Sequence, residues 1–204
     1  MGAKLRESSA ARLLRTPGLQ HDQAQAALAA SFSVTAVSSP GALLDSASLP
    51  LFGIGELDVR EQAHALADQL TNGLCLSPDR SHHRALLIDH ALVHRSAHPW
   101  QIAVIGHELA RRAGVASFVA VCEGQPWTVV RGEEQMALVG PSSIAGRPRP
   151  GEVRARCAHQ VARAVLAEIR ASAPSDSARR AERLLRALPG GGGRCAGRCP
   201  RSAK

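Results

Sequence analysis

"DHALVHRSAHPWQIAVIGHELARRAGV", residues 89–115, holds a helix with both of its ends marked in the sequence. Pro99 suits a first helical turn, where its missing N–H costs nothing, and Gly114 stands in the usual place just past a helix C-terminus. Inside the helix, His107 and Glu108 supply the first two letters of H-E-x-x-H. That motif works because residues i and i+4 share a helix face, so two imidazoles reach one zinc ion. Arg111 stands where the second histidine is required; it cannot ligate and would repel a cation. The zinc-protease reading fails. Glu108 and Arg112 are instead i, i+4, in the favourable order for an ion pair on a solvated helix face.

Working outward, "HRALLIDHALVHR" (83–95) reads as the preceding helix, with Leu86, Leu87, Ala91 and Val93 inward. Before it, "LDVREQAHALADQL" (57–70) pairs an Asp58 N-cap with Glu61 three residues on, a capping box, and Val59, Ala63, Leu66 and Leu70 form an apolar stripe. "HDQAQAALAASF" (21–32) is an alanine-rich helix, and "SVTAVSSPGALLDSASLP" after it reads as loop. Beyond Val115 the period changes. "VASFVAVC" and "WTVVR", joined by "EGQP", and then "QMALVG" (135–140) read as three antiparallel strands. A "GRPRPG" linker (146–151) precedes two helices, 152–172 and 177–188, the second capped by Ser175 or Asp176. The expected fold is α+β: helices, a small antiparallel sheet, then a C-terminal helical hairpin.

This ordered series resembles the SirB-type transglutaminase-like proteins of bacteria, a transglutaminase-like domain followed by tetratricopeptide-type helices. Their R-R-G-I-P, helix, E-x-A-R-R-x-G segment matches Pro99, Glu108, Ala110, Arg111, Arg112 and Gly114 without a gap. Their G-H-A-W-V-x-V strand matches Gly124, Trp127 and Val130 of "GQPWTVV", and a following D-P keeps its proline as Pro141. The likeness covers about residues 83–142. It implies a cysteine-protease-like fold and a triad: a cysteine at the N-terminus of the long helix, a histidine on the next strand and an aspartate on the one after. Here all three positions are vacant, being held by Gln101, Gln125 and Gly140.

The resemblance therefore implies a non-catalytic, protein-binding or regulatory domain in the bacterial cytoplasm, with the old cleft rimmed by Trp100, Gln101, Gln125 and Trp127 as its contact site. The enzyme-class alternative is a thiol hydrolase or acyltransferase using a relocated nucleophile, Cys122. A transglutaminase-like domain is expected over 21–145, a tetratricopeptide-like hairpin over 150–189, a flexible leader over 1–20 and a disordered tail over 190–204.

Composition narrows the classes. Aromatics are scarce, only Trp100, Trp127, Phe32, Phe52 and Phe118, so the core must rest on Leu, Val, Ile and Ala. Of the net +8, residues 178–204 hold eight Lys/Arg against Glu182, while residues 1–177 hold 17 against 16. Arg179, Arg180, Arg183, Arg186, Arg194 and Arg198 therefore offer a second alternative, weak polyanion binding by a basic tail. Five cysteines at scattered spacings form no disulfide framework. No run of about 18 apolar residues exists to span a membrane, the N-terminus lacks the apolar core of a secretory signal, and no cofactor is expected. Six of nine histidines fall between 82 and 107; His90 and His94, i, i+4 on a helix, are the one pair spaced to share a metal. The cluster adds positive charge near pH 6.

Overall fold

The computed structural model describes residues 9–32, 39–140 and 152–188 in full, and 143–145 as backbone. Residues 9–13 are helical, and the elements that follow are α1 (His21–Phe32), α2 (Pro40–Ser48), α3 (Val59–Asp68), β1 (Ser77–Pro78), α4 (Ile88–His94), β2 (Ser96–Ala97), α5 (Pro99–Arg112), β3 (Ser117–Cys122), β4 (Gln125–Arg131), β5 (Met136–Gly140), β6 (Ser143–Ala145), β7 (Arg154–Ala155), α6 (Ala158–Ser172) and α7 (Ser175–Ala187). The class is α+β. No helix of the described residues is long and apolar enough to cross a membrane.

Helix α5 is the spine, and both of its marked ends are used. His98 is the N-cap and its Nδ1 accepts the Trp100 N–H; Pro99 fills the first helical position. At the far end Gly114 takes φ +75°, and Val115 and Gly114 donate to the Ala110 and Arg111 carbonyls, the paired bonds of a Schellman close. Nine of the fourteen residues of α5 are buried, because one side faces helices and the other lies on the sheet. Gly106 permits that approach: a Cβ there would sit 2.4 Å from Thr128 Oγ1, which donates to the Ala103 carbonyl at 2.8 Å.

The sheet runs β6-β5-β4-β3-β7, antiparallel throughout. Strands β3 and β4 join through Glu123 and Gly124, both at positive φ, the two-residue turn whose twist suits a tight hairpin. Alternation along β3–β5 sends Val119, Val130, Ala137 and Val139 into the main core, under the helices. It sends Ala120, Cys122, Val129 and Leu138 to the opposite face, where half-buried Phe118, Trp127, Met136 and Val153 join them. The short parallel pair β1–β2, with Ser77 opposite Ser96, lies at the N-terminal end of α5.

Several elements depart from the sequence reading. The stretch read as loop contains α2, started by Pro40 and holding Leu44 at zero exposure; residues 33–38 lie outside the described residues. Residues 83–95 are a 3-10 turn followed by a shorter α4, which leaves Val93 exposed. The helix expected from 152 begins at Ala158, because Arg154 and Ala155 pair with Val121 and Ala120 and extend the sheet. α7 begins at Ser175 with Pro174 at the cap position, so neither Ser175 nor Asp176 caps it.

The leader is not free over 9–20: Ala10, Leu14 and Leu19 are buried, and Arg15 Nε donates to the Ala187 carbonyl. The hairpin α6–α7 places Val161, Val165, Leu166, Ile169 and Leu184 in the same core as α1, α4 and α5, so it shares one core with the rest rather than forming its own. The linker over 146–151 and the tail over 190–204 lie outside the described residues.

Candidate functional site

The residues singled out by sequence are divided between the N-terminal part of α5 and the far face of the sheet. Gln101, one turn into the helix, is fully buried. Its Nε2 donates to Gln25 Oε1 on α1 at 2.8 Å and to the Leu86 carbonyl at 2.6 Å. It therefore rims nothing. The helix period that places it near the mouth also turns it toward α1 and away from solvent. Gln101 Oε1 and Gln25 Nε2 complete no further hydrogen bond among the described residues.

Gln125 is exposed at the start of β4, and its Oε1 accepts from Arg80. Arg80 sits in a loop organised by Asp79, whose carboxylate accepts the Ser81 hydroxyl and N–H at 2.7 Å and the Ser96 hydroxyl at 2.9 Å. Those bonds, Ser81 first, hold Asp79 down at about 2. His98 lies behind the loop. Its burial, then the Arg80 guanidinium, bring it to about 4, so the imidazole is uncharged at neutral pH.

The other two rim candidates are separated by the sheet. Trp100 packs half-buried on the main core, whereas Trp127 lies on the face turned away from α5, beside Cys122. The reason is strand period: Trp127 pairs with Ala120, and both point to the far side. Gly140, at the end of β5, is pressed by the Trp127 ring, since a Cβ there would sit 2.8 Å from Cζ3. No aspartate fits that position without moving the indole.

Cys122 is buried, and burial first, then the Glu123 and Glu152 carboxylates, push its thiol up. All three causes oppose thiolate formation. Gln125 pairs with it across the strands and cannot serve as a base.

Glu108 and Arg112 do pair, but not on a solvated face. Glu108 is fully buried; Arg112 reaches it at 2.6 Å, Arg111 at 2.9 Å, and the Asp22 N–H donates to it at 3.3 Å. Arg112 also bonds Asp45 at 2.7 Å. The network ties α5 to α1 and α2, and Asp22 and Asp45, remote in sequence, left no signal at short range. His107 is likewise inside, with Nδ1 hydrogen-bonded to Ser117 Oγ at 2.9 Å and the His21 ring edge-on at 5.1 Å.

His90 and His94 lie with ring centroids 4.2 Å apart, and the row continues to His82 at 5.9 Å from His90 and to His83 at 5.1 Å from His82. No group of three or more ligating side chains among the described residues is placed to hold a metal ion. Of the arginines assigned to a tail, Arg179, Arg180, Arg183 and Arg186 stand on α7. Arg179 pairs with Asp176, Arg186 with Glu182, and Arg180 donates to the Ser31 carbonyl while its guanidinium lies 5.9 Å from the centre of the Phe32 ring. The first two pairs lie within α7, and Arg180 ties the helix to the end of α1. Arg194 and Arg198 lie outside the described residues.

No protein family and no curated protein matches the chain. Among solved structures, a crystal structure of menin that reveals the binding site for the Mixed Lineage Leukemia (MLL) protein resembles it, with a TM-score of 0.56 at 12% identity. The match covers 90% of this chain and 51% of that one, so the chain spans about half of that structure. Identity this low speaks for the fold alone.

Proposed function

We propose that the chain is a non-catalytic protein-binding module of cytoplasmic setting, built on a transglutaminase-like frame with a tetratricopeptide-like hairpin behind it. One observation carries the reading. At the three positions where the resemblance puts nucleophile, base and orienter stand a buried glutamine bonded to Gln25 and Leu86, a glutamine bonded to Arg80, and a glycine pressed by Trp127. Each is occupied by a contact that a catalytic side chain would have to break. Loss of a single triad member ordinarily costs about three to six orders of magnitude in rate.

One further point supports binding. The mouth at the N-terminal end of α5 presents donors rather than a reacting group: Arg80 and Gln125 stand at the surface, with His98 neutral behind them.

The test is turnover. The full chain, incubated with a glutaminyl peptide and a fluorescent primary amine, and separately with an activated ester, is expected to give the same rate as its Cys122→Ala variant. A rate abolished by Cys122→Ala would show an enzyme and overturn the reading.

A further inference from the structure

The four-histidine row belongs to neither the vacant site nor the core. His82 and His83 start a turn, His90 and His94 lie on α4, and the rings run on from one to the next at 5.1, 5.9 and 4.2 Å. Arg84 lies between the two pairs, and its charge reaches both His83 and His90. Arg95 follows His94 at the end of α4. Arg84, Arg95, His82 and His94 are exposed, and His83 and His90 half so.

The exposed charges of this face are the two guanidiniums, while its nearest carboxylates, Asp79 beside His82 and Asp89 beside His90, are less exposed. Among the described residues no carboxylate forms an ion pair with Arg84 or Arg95. Asp79 is ionised and accepts the Ser81 and Ser96 hydroxyls and the His82 N–H, and Asp89 is buried, accepts the His90 N–H and favours the charged form of that imidazole. From the packed neighbours, α1 contributes His21 and Asp22 and α2 only Asp45; both carboxylates are turned to Arg112. α5 and its N-cap contribute His98, brought to about 4 by burial and then Arg80, and His107, lowered by burial, with Glu108 held by its arginines. α6, packed against the turn, carries His159 and Arg163 and no carboxylate before Glu168.

We propose that the face formed by His82, His83, Arg84, His90, His94 and Arg95 is an interaction surface for an acidic polypeptide segment, which it holds more tightly as the histidines take up protons. This rests on the protein-binding reading and names the chemistry of the partner.

Neighbouring imidazoles so close resist protonation together, and burial and mutual repulsion lower His83 and His90. A ligand that lays carboxylates along the row cancels that repulsion. Binding and proton uptake then favour each other equally, as linkage requires. The rings also distinguish between classes of polyanion. His82 lies nearly parallel to both His83 and His90, at 18° and 15°, so these rings lie beside one another as a row rather than as separate platforms. Single-stranded nucleic acid needs ring faces free for its bases; carboxylates need only the N–H edges.

The probe is a fluorescent octaglutamate peptide, titrated into the full chain at pH 7.5 and 5.5 in constant salt, with folding monitored by circular dichroism. Affinity is expected to rise about tenfold or more on lowering the pH, in keeping with uptake of at least half a proton per bound peptide. The C-terminal arginines and lysine do not titrate in this range, so any contribution from them is a constant background. Arg84→Ala with Arg95→Ala, both exposed, should weaken binding at both pH values; His90→Gln with His94→Gln should abolish the pH dependence. Binding that is equal at the two pH values, or unchanged in both variants, overturns the proposal, as does tighter binding of an octathymidylate than of the peptide at pH 5.5. Thiol turnover by Cys122 would sink the non-catalytic reading and leave this face standing; a peptide without pH dependence sinks the face alone.

Discussion

Gln101 illustrates how a single buried side chain can join elements. Its amide bridges α1 and the turn before α4, and both hydrogen bonds are made in the core. Placing a thiol there by Gln101→Cys would leave Gln25 Oε1 and the Leu86 carbonyl without that donor. A cost of about 1–3 kcal/mol is expected in chemical denaturation, with the new cysteine inert to alkylating reagents in the native state. Glu108 is the second such residue. Its carboxylate is the hub for Arg111, Arg112 and the Asp22 N–H, so Glu108→Ala removes three contacts, while the guanidiniums keep Asp22 and Asp45. Loss of about 1–3 kcal/mol is expected, read as a lower denaturation midpoint at unchanged slope. The sequence showed the Glu108–Arg112 spacing but not its burial. Burial depends on Asp22 and Asp45, which lie 86 and 63 positions away from Glu108. The Gln25–Gln101 pair was invisible for the same reason, 76 positions apart.

Elements were legible where local chemistry marks their ends. Pro99 and Gly114 bound α5, Asp58 and Glu61 cap α3, and β-branched runs with a tight turn at Glu123 and Gly124 give the hairpin. Elements that exist only through partners were not. β7 is two residues long and is a strand only because Ala120 and Val121 pair with it. α2 has glycine and serines where a helix would prefer alanine, and it is held instead by packing around Leu44. The vacancy of the expected triad was implied by the family resemblance; the contacts made at those positions, and the splitting of Trp100 from Trp127 by the sheet, needed the fold. The distance of α5 from β4 can be tested directly. Gly106→Ala brings a methyl to 2.4 Å from Thr128 Oγ1 and should cost about 1–3 kcal/mol. Thr128→Ala removes that atom and the bond to Ala103, so the double variant should be more stable than the two single losses summed, by at least about 0.5 kcal/mol.

Across the whole molecule one core joins the N-terminal residues, the sheet and the C-terminal hairpin, so unfolding is expected to be a single transition. Its pH dependence follows from the buried histidines. His21 and His98 are held at about 3 and about 4, below the 6.5 of the unfolded chain, by burial first and then by His107 and Arg80 respectively. The unfolded state thus binds more protons below pH 6.5. Stability from these groups is complete above that value and is lost as pH falls from 6.5 toward 4 and, for His21, toward 3. By pH 4.5 each histidine should have removed about 2 kcal/mol, and the denaturation midpoint should fall accordingly. Repeating the titration with His98→Gln should flatten part of that fall.

Activation of a thiol in this fold would separate an enzyme from a binding module. The measurement is the pH dependence of alkylation at each cysteine of the native full chain, resolved by peptide mass spectrometry. Cys122, pushed up by burial and by Glu123 and Glu152, should react only above the ordinary thiol range of about 8.5, and more slowly than exposed Cys75. Reaction of Cys122 as a thiolate below about pH 7 would contradict a non-catalytic module and return the chain to the thiol enzymes.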